Sequence, residues 1–289
     1  MSIKTLIIFV TVYKEESITV AAKKLNLSQP AVSAAIKELE NHYSVRLFER
    51  MGRGIQKTNE AHHLYEFASH ITALYLEMDK DFKKQERTTP LRIGSSISIG
   101  TCLMPGYIKN YIGTFHVPMP YIKIDSSDII EKMVLENNLD LALIEGSIHS
   151  DKILAEPFTR DKLILVCSPL HPLTSKKVVT LDDLREEHFL LREKNSGTRE
   201  LAQSTLMLKD FALKPSMEST STTAIIHAVI ANLGISILPE RMLTEYLSSG
   251  KLVSLKIRGI EFLREYHIIY HQNKYLNPEI INFIEFIKG

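Results

Sequence analysis

The sequence has no tryptophan and only two cysteines, Cys102 and Cys167, in 289 residues. Two distant cysteines are too few for a disulfide framework or a cysteine-rich metal site, so both are expected to be reduced thiols. No apolar run reaches the 18 or so residues that a membrane-spanning helix needs, and the first residues lack the features of a cleavable signal. The sequence therefore predicts a cytoplasmic protein with no membrane partner.

The chain is also poor in the residues that mark unfolded or fibrous proteins. It has 12 glycines and 11 prolines, with 44% hydrophobic and 24% charged residues, which are ordinary values for a globular protein. A length of 289 residues predicts two domains.

The net charge is only +1, but the charged residues are unevenly distributed along the chain. The residues up to Thr58 include nine basic and five acidic side chains, a charge of +4, whereas the remainder carries 26 basic and 29 acidic ones, a charge of −3. A basic head on a slightly acidic body fits a nucleic-acid-binding module attached to a second domain. A basic surface that only faces solvent would give the same charge distribution, so charge alone leaves both interpretations open.

Two short helices are predicted in the head. Ser17 and Ser28 are good N-cap residues, and Pro30 falls in the first turn of the second helix, where its missing N–H costs nothing. In that second helix Val32, Ile36 and Leu39 recur at the spacing of a buried face, and the opposite face is polar. The small alanines of both helices allow the close crossing of a helix-turn-helix.

The segment after Phe48 is typical of a wing. Its sequence, MGRGIQKT, places a cation between glycines at the tip of two short extended pieces. Together the head matches the N-terminal signature of the LysR-type transcriptional regulators, most clearly in the block from Ser28 to Ser33 and in Leu47-Phe48. One departure is Ala61-His62, where that family usually has Ala-Gly.

The resemblance implies that the second helix enters the major groove of double-stranded promoter DNA and that the wing reaches the neighbouring minor groove. The residues implied in DNA binding are Ser28, Gln29, Pro30, Ser33, Lys37, Arg50, Arg53 and Lys57. The alternative for the head alone is a compact helical domain that binds protein.

A long helix is predicted to follow the wing, since no glycine or proline lies between Asn59 and Arg87. Its apolar residues are spaced 4, 3, 4, 3 and 4 apart, which is a heptad seam, and they are Leu64, Ala68, Ile71, Tyr75, Met78 and Phe82. The seam predicts a homodimer through this helix, with a tetramer expected beyond it. Packing of the helix on its own body is the alternative.

After Pro90 the pattern changes to strands alternating with helices, which predicts βαβ units and a mostly parallel sheet. This order resembles the LysR-type effector-binding domain, a two-lobed α/β fold like that of periplasmic binding proteins. The resemblance implies crossovers near Asp161-Lys162 and Leu263-Glu265.

The expected fold class is α/β with an all-α-type head. Its parts are a winged helix-turn-helix at 1–58, a linker helix at 59–89 and an effector-binding domain at 91–289, with lobe I at 91–162 and 265–289 and lobe II at 163–264.

Ligands of such sheets bind where the carboxyl ends of strands meet helix N-termini. Four hydroxyl-rich or glycine-containing loops meet that description and, with Arg192 or Arg199, form a candidate nest for a small anion. The implied effector-binding residues are Ser96, Ser98, Ile99, Ser127, Glu145, Ser196, Gly197, Thr198 and Arg199. Each serine taken alone is also explained as a helix cap. The Ser-Gly-Thr-Arg block resembles the LysR regulators of sulfur assimilation, sulfite response and carbon fixation.

Motifs for catalysis or cofactors are lacking. There is no glycine-rich nucleotide fingerprint, P-loop or nucleophile elbow, and His62-His63 have no cysteine or carboxylate cluster beside them. Cys102 is predicted near a helix start that would lower its pKa, which leaves a thiol sensor open. The expectation is a non-enzymatic regulator without cofactor or metal, which binds promoter DNA and a small, anionic effector. The alternative is a two-lobed binding protein or enzyme with a vestigial head.

Overall fold

The computed structural model describes residues 2–51, 54–83 and 90–289, and the chain divides into two compact units. The first unit comprises Met1–Thr89 with two short segments, Leu135–Asn138 and Asn273–Tyr275. The second unit holds the remaining residues. Each unit has its own buried apolar core.

The first unit begins with three helices, followed by a two-stranded ribbon and a long helix. These elements are α1 (Ile3–Glu15), α2 (Ile18–Lys24), α3 (Gln29–Tyr43), β1 (Phe48–Met51), β2 (Gly54–Lys57) and α4 (Asn59–Phe82). The predicted caps are present, because the side chain of Ser17 accepts a hydrogen bond from Val20 N and that of Ser28 from Ala31 N. Between the two helices Asn26 adopts a left-handed conformation with φ 54°, which makes the turn.

The buried face of α3 consists of Val32, Ile36 and Leu39, as predicted. They pack in one core with Phe9 and Val12 of α1, a helix that the sequence analysis does not assign. A compact head with a helix-turn-helix and a β-ribbon results.

The predicted seam of the linker helix α4 has a buried part and an exposed part. Ala68 is buried in the core of the head and Leu64 packs against that core. The other four seam residues are exposed on this single chain, and they are Ile71, Tyr75, Met78 and Phe82. The part of the seam free to pair therefore begins at Ile71, one heptad later than predicted, because the head uses the first turns of the helix for its own core.

The second unit alternates strands and helices from Arg92 to Lys288. Its elements are β3 (Arg92–Ser96), α5 (Ile97–Cys102), α6 (Met104–Phe115), β4 (Tyr121–Asp125), α7 (Ser127–Leu135), β5 (Leu141–Glu145), β6 (Ile153–Cys167), β7 (Phe189–Arg192), α8 (Gly197–Met207), β8 (Pro215–Ser219), α9 (Thr222–Ile230), β9 (Ser236–Pro239), α10 (Glu240–Ser248), β10 (Val253–Leu255), β11 (Phe262–His271) and α11 (Pro278–Lys288).

The prediction of a mostly parallel sheet is wrong for the main sheet. Its order is β10-β6-β11-β5-β3-β4, with β9 also paired to β6, and only the β3-β4 and β3-β5 pairs are parallel. The strands β6 and β11 pair antiparallel along most of their length, and this long pair connects strands that would otherwise form two separate sheets. The sequence pattern predicts a strand only over the second half of β6, KLILVC, because charged residues and a proline interrupt the apolar residues of the first half, ILAEPFTRD.

The pairing of β6 with β11 includes the residues at which the family resemblance implies crossovers. Lys162 is opposite Leu263 and Asp161 is opposite Arg264 in the register. One apolar core lies among β3, β5, α6 and α11, and a second lies among β6, β7, β9 and α8. Over the described ranges, no helix is long and apolar enough to cross a membrane.

Candidate functional site

The outward face of α3 presents polar groups at its N-terminal end. Gln29, Pro30 and Lys37 are exposed and Ser33 is partly exposed. They share this face because they lie opposite the buried Val32, Ile36 and Leu39. A helix with one face in the core and the other open to solvent at its N-terminus can enter a DNA groove.

The ribbon that follows has the form of a wing. β1 and β2 pair antiparallel, with Phe48 opposite Lys57 and Met51 opposite Gly54. Arg50 lies on β1, whereas Arg53, at the predicted tip, lies outside the described residues. The Lys57 side chain is only 20% exposed, and its Nζ is 2.6 Å from Glu16 Oε1. Of the three predicted wing cations, Lys57 therefore has a partner inside the head.

In the second unit the predicted hydroxyl loops converge on one carboxylate, that of Glu145. Ser98 Oγ donates to Glu145 Oε1 at 2.9 Å, and Ser96 Oγ donates to Glu145 Oε2. Ser127 Oγ donates to the Glu145 carbonyl oxygen at 2.8 Å. Glu145 is 3% exposed, so these donors hold a carboxyl group away from water. The end of β5 and the starts of α5 and α7 therefore meet at one buried carboxylate, next to a crevice lined by Gly146, Gly197 and Arg264.

The helix-cap explanation of these serines does not account for Ser96 or Ser196. Both residues occupy N-cap positions, Ser96 before α5 and Ser196 before α8, but neither side chain makes the capping hydrogen bond. The hydroxyl of Ser96 is used by Glu145 instead.

Arg264 of β11 lines this crevice and links the buried polar groups beside it. Its Nη2 lies 2.8 Å from Asp161 Oδ2, and its Nη1 is 3.6 Å from Glu145 Oε1 and donates to Thr198 Oγ1 at 3.1 Å. Burial works against the charged guanidinium, but the two carboxylates hold the pKa of Arg264 above its usual value. Tyr266 also donates from its hydroxyl to Asp161 Oδ2, at 2.5 Å. One buried cation thus joins the last residue of β5, the paired strands β6 and β11, and the first turn of α8.

The arginines named from sequence have other partners. Arg199 Nη1 donates to the Arg192 carbonyl oxygen and pairs with Glu218, and Arg192 donates to Glu193 and Thr222. Both are buried and bound within lobe II, whereas Arg264 supplies the cation beside Glu145 and Thr198. The side chain of Ile99, another predicted site residue, is fully buried in the apolar core of lobe I.

The thiol pKa values of the two cysteines bear on the sensor hypothesis. Cys102 ends α5 instead of starting a helix, and burial raises its thiol pKa. Burial raises the pKa of Cys167 to about 11. The sensor hypothesis depends on a lowered thiol pKa, so its physical basis is lost.

Two glycines let the backbones on either side of the crevice approach closely. Gly146 has φ +98°, and a Cβ on Gly197 would lie 2.7 Å from the Glu145 carbonyl oxygen. The first turn of α8 therefore packs against the end of β5 through main-chain atoms, which brings Thr198 next to Arg264.

Gly197→Ala is expected to lower the free energy of unfolding by about 1–3 kcal/mol, because the new methyl group must push backbone apart. Urea denaturation measures the change. Gly113→Ala is the control, since a Cβ at that position of α6 meets nothing within 4 Å, and alanine is favoured over glycine in a helix by roughly 0.5–1 kcal/mol. Equal effects of the two substitutions would contradict the close approach at Gly197.

The comparisons with known proteins agree with both parts of this geometry. Residues 3–62 match the family model described as bacterial regulatory helix-turn-helix protein, lysR family, and residues 84–289 match the LysR substrate binding domain. The chain is 31% identical over 286 residues to an uncharacterized HTH-type transcriptional regulator, YeiE, of Escherichia coli, covering 99% of this chain and 97% of the relative. It is 27% identical over 292 residues to the RuBisCO operon transcriptional regulator of Allochromatium vinosum, covering 99% and 95%.

Solved structures show the same fold. A full-length point variant of OxyR from Pseudomonas aeruginosa superimposes with a TM-score of 0.78 at 20% identity, covering 100% of this chain and 95% of that one. The regulatory domain of Synechocystis CcmR, solved with 2-PG, superimposes with a TM-score of 0.64 at 22% identity, covering 69% of this chain and 95% of that one. The winged head, the two-lobed body and the match of both family models lead to one conclusion: this chain belongs to the LysR family of bacterial transcriptional regulators.

Proposed function

We propose that this regulator senses a small anionic metabolite in the crevice lined by Arg264, next to the buried residues Ser96, Ser98, Glu145 and Thr198. The observation that carries the proposal is the set of buried donors around the Glu145 carboxylate. Two hydroxyls and a guanidinium that already hold a carboxylate of the protein have the chemistry to hold that of a ligand.

The charge balance of the crevice bears on how an anion enters. Glu145 and Asp161 share the buried cation Arg264, and Arg241 Nε lies 3.7 Å from Asp161 Oδ1 at the partly exposed edge. An incoming anion competes with Glu145 for the same donors. Binding therefore requires Glu145 to move, and this movement changes the contacts between the β5 end and Arg264.

Such a change supplies the differential affinity that a switch needs. A ligand shifts an equilibrium between two states only by binding one of them more tightly. We propose that the ligand-bound state alters how the paired heads contact and bend promoter DNA, which changes transcription. In the head, Ser28, Gln29, Pro30, Ser33 and Lys37 are the proposed groove-facing residues, and Arg50 and Arg53 the proposed wing contacts. The chain acts by binding in this proposal, not by catalysis.

The ligand classes seen in neighbouring structures define the first probes. The CcmR regulatory domain was solved with 2-PG and the effector-binding domain of QuiR with shikimate, both of which are anions. Thermal-shift screening of the full-length chain with 2-phosphoglycolate, shikimate, inorganic phosphate and the cation putrescine tests the charge preference. Stabilisation by at least one anion is expected, and stabilisation by putrescine alone would contradict the proposal.

Thr198→Val is expected to weaken binding of the best anion from that screen by about 5- to 150-fold, since one lost buried hydrogen bond is worth roughly 1–3 kcal/mol. Calorimetric titration of the full-length chain measures the change. Thr101→Val, which removes an exposed hydroxyl bonded to the Ile97 carbonyl oxygen of α5, is the matched control and should bind normally. Normal affinity in both variants would place the ligand elsewhere.

A further inference from the structure

An aromatic cluster joins the first helix of the head to the linker helix. The ring of Tyr13 stacks on that of Tyr65, with centroids 3.8 Å apart and planes 11° apart. Its hydroxyl shares a 2.5 Å hydrogen bond with His62 Nδ1, the residue that departs from the family pattern. Tyr13 is 5% exposed, and burial raises its pKa to about 12, so it stays a neutral phenol at physiological pH. The cluster fixes α1 against α4.

The wing is attached to this cluster by one lysine. Lys57 Nζ, at the end of β2, lies 4.3 Å from the centre of the Tyr13 ring and 2.6 Å from Glu16 Oε1. Glu16 follows α1 in a left-handed conformation, with φ 47°. Its hydrogen bond from Lys57 lowers its pKa below the usual value, so it is ionised at neutral pH. One ammonium group therefore contacts an aromatic face and a carboxylate from α1, while its own strand belongs to the wing.

From these contacts we propose that Lys57 is a positioning residue, which holds the wing in its DNA-binding orientation through Glu16 and the Tyr13 ring instead of contacting a phosphate itself. An ammonium over a ring and beside a carboxylate is held from two directions, which orients its strand. If Lys57 left for a phosphate, the ionised and 63% exposed Glu16 would remain without its cation next to a polyanion.

The proposal predicts that neutralising Glu16 changes the DNA affinity in the direction opposite to the one that simple electrostatics predicts. An acidic residue near DNA normally weakens binding, so its neutralisation should tighten the complex or leave it unchanged. If Glu16 instead holds the lysine that orients the wing, its neutralisation should weaken the complex. Glu16 is exposed, so the Glu16→Gln variant keeps the folded core intact.

Fluorescence anisotropy of the full-length chain measures the direction of this change in DNA affinity. The probe is a duplex selected by the wild-type chain from a random library, titrated at several salt concentrations. Glu16→Gln and Lys57→Met are each expected to weaken binding by about 3- to 10-fold, and the double variant should be no weaker than the weaker single one. The slope of log affinity against log salt should not change, because no phosphate contact is lost.

The neighbouring residue provides a matched control. Glu15 pairs with Lys24 of α2 at 2.6 Å, so Glu15→Gln removes the same charge one position away. This variant should bind at least as tightly as the wild type. Lys57→Arg, which keeps the cation, should restore most of the affinity lost in Lys57→Met.

Three results would overturn the proposal. A salt slope reduced by about 0.9 in Lys57→Met, together with normal or tighter binding by Glu16→Gln, would make Lys57 a phosphate contact. Equal weakening by Glu15→Gln and Glu16→Gln would assign the effect to general surface charge. Unchanged affinity in both Glu16→Gln and Lys57→Met would leave the wing orientation independent of this pair.

Discussion

Arg264→Met is expected to lower the free energy of unfolding of the effector-binding domain by about 3–5 kcal/mol, since removing one partner leaves buried charges uncompensated. Arg264 is only 7% exposed and has Asp161 and Glu145 as its charged partners. Methionine replaces the length of the side chain but not its positive charge. Two carboxylates would then lie in the crevice with no buried cation between them.

Urea denaturation of the full-length chain, followed by circular dichroism, measures the loss. The control is Arg160→Met, which lies on β6 opposite Glu265 and pairs with it at 3.1 Å. The Arg160 side chain is 85% exposed, and exposed pairs contribute about 0–1 kcal/mol. A loss no greater in Arg264→Met than in Arg160→Met would show that the crevice does not depend on a buried ion pair.

Ile71→Glu is expected to lower the affinity for a two-fold symmetric DNA site by about 10²- to 10⁴-fold, because binding by two linked heads becomes binding by one. Ile71 is 49% exposed on the single chain and opens the row that continues through Tyr75, Met78 and Phe82. A carboxylate within this apolar row must be desolvated when the helices pair. Analytical ultracentrifugation should show a shift from dimer to monomer at the same protein concentration.

Leu76→Glu is the control for that experiment. Leu76 has nearly the same exposure, 47%, on the same helix, but lies about 140° around it from Ile71 at 3.6 residues per turn. Its substitution adds the same charge and should leave the dimer intact. Dissociation by Leu76→Glu and not by Ile71→Glu would place the interface on another face of α4.

Local signals make much of the head predictable. Ser17 and Ser28 cap the helices that the sequence predicts them to cap, because capping depends on a hydrogen bond to a residue three positions away. The first helix α1 escapes prediction because its sequence, IKTLIIFVTVYKE, has an almost continuous apolar stretch with no clear helical period. The direction of the Lys57 side chain depends on Glu16, 41 residues earlier, and no local pattern contains that information.

The residues at the crevice also include some that local sequence predicts and some that it does not. The positions of Ser96, Ser98 and Thr198 are predictable because each lies at the end of a strand or in the first turn of a helix. Arg264 is not, since its partner Asp161 is 103 residues away and the two meet only through the register of β6 and β11. The sequence pattern favours Arg192 and Arg199 because they flank the Ser-Gly-Thr block, whereas position in the sheet decides which arginine faces Glu145.

We propose that an anion bound beside Thr198 and Arg264 changes how the head contacts DNA. Deoxyribonuclease footprinting of the full-length chain on its selected duplex, with and without the best anion from the thermal-shift screen, tests it most directly. The anion should change the protected region in the wild type and in Thr101→Val, and leave it unchanged in Thr198→Val at the same concentration. An equal change in Thr198→Val and the wild type would contradict the account.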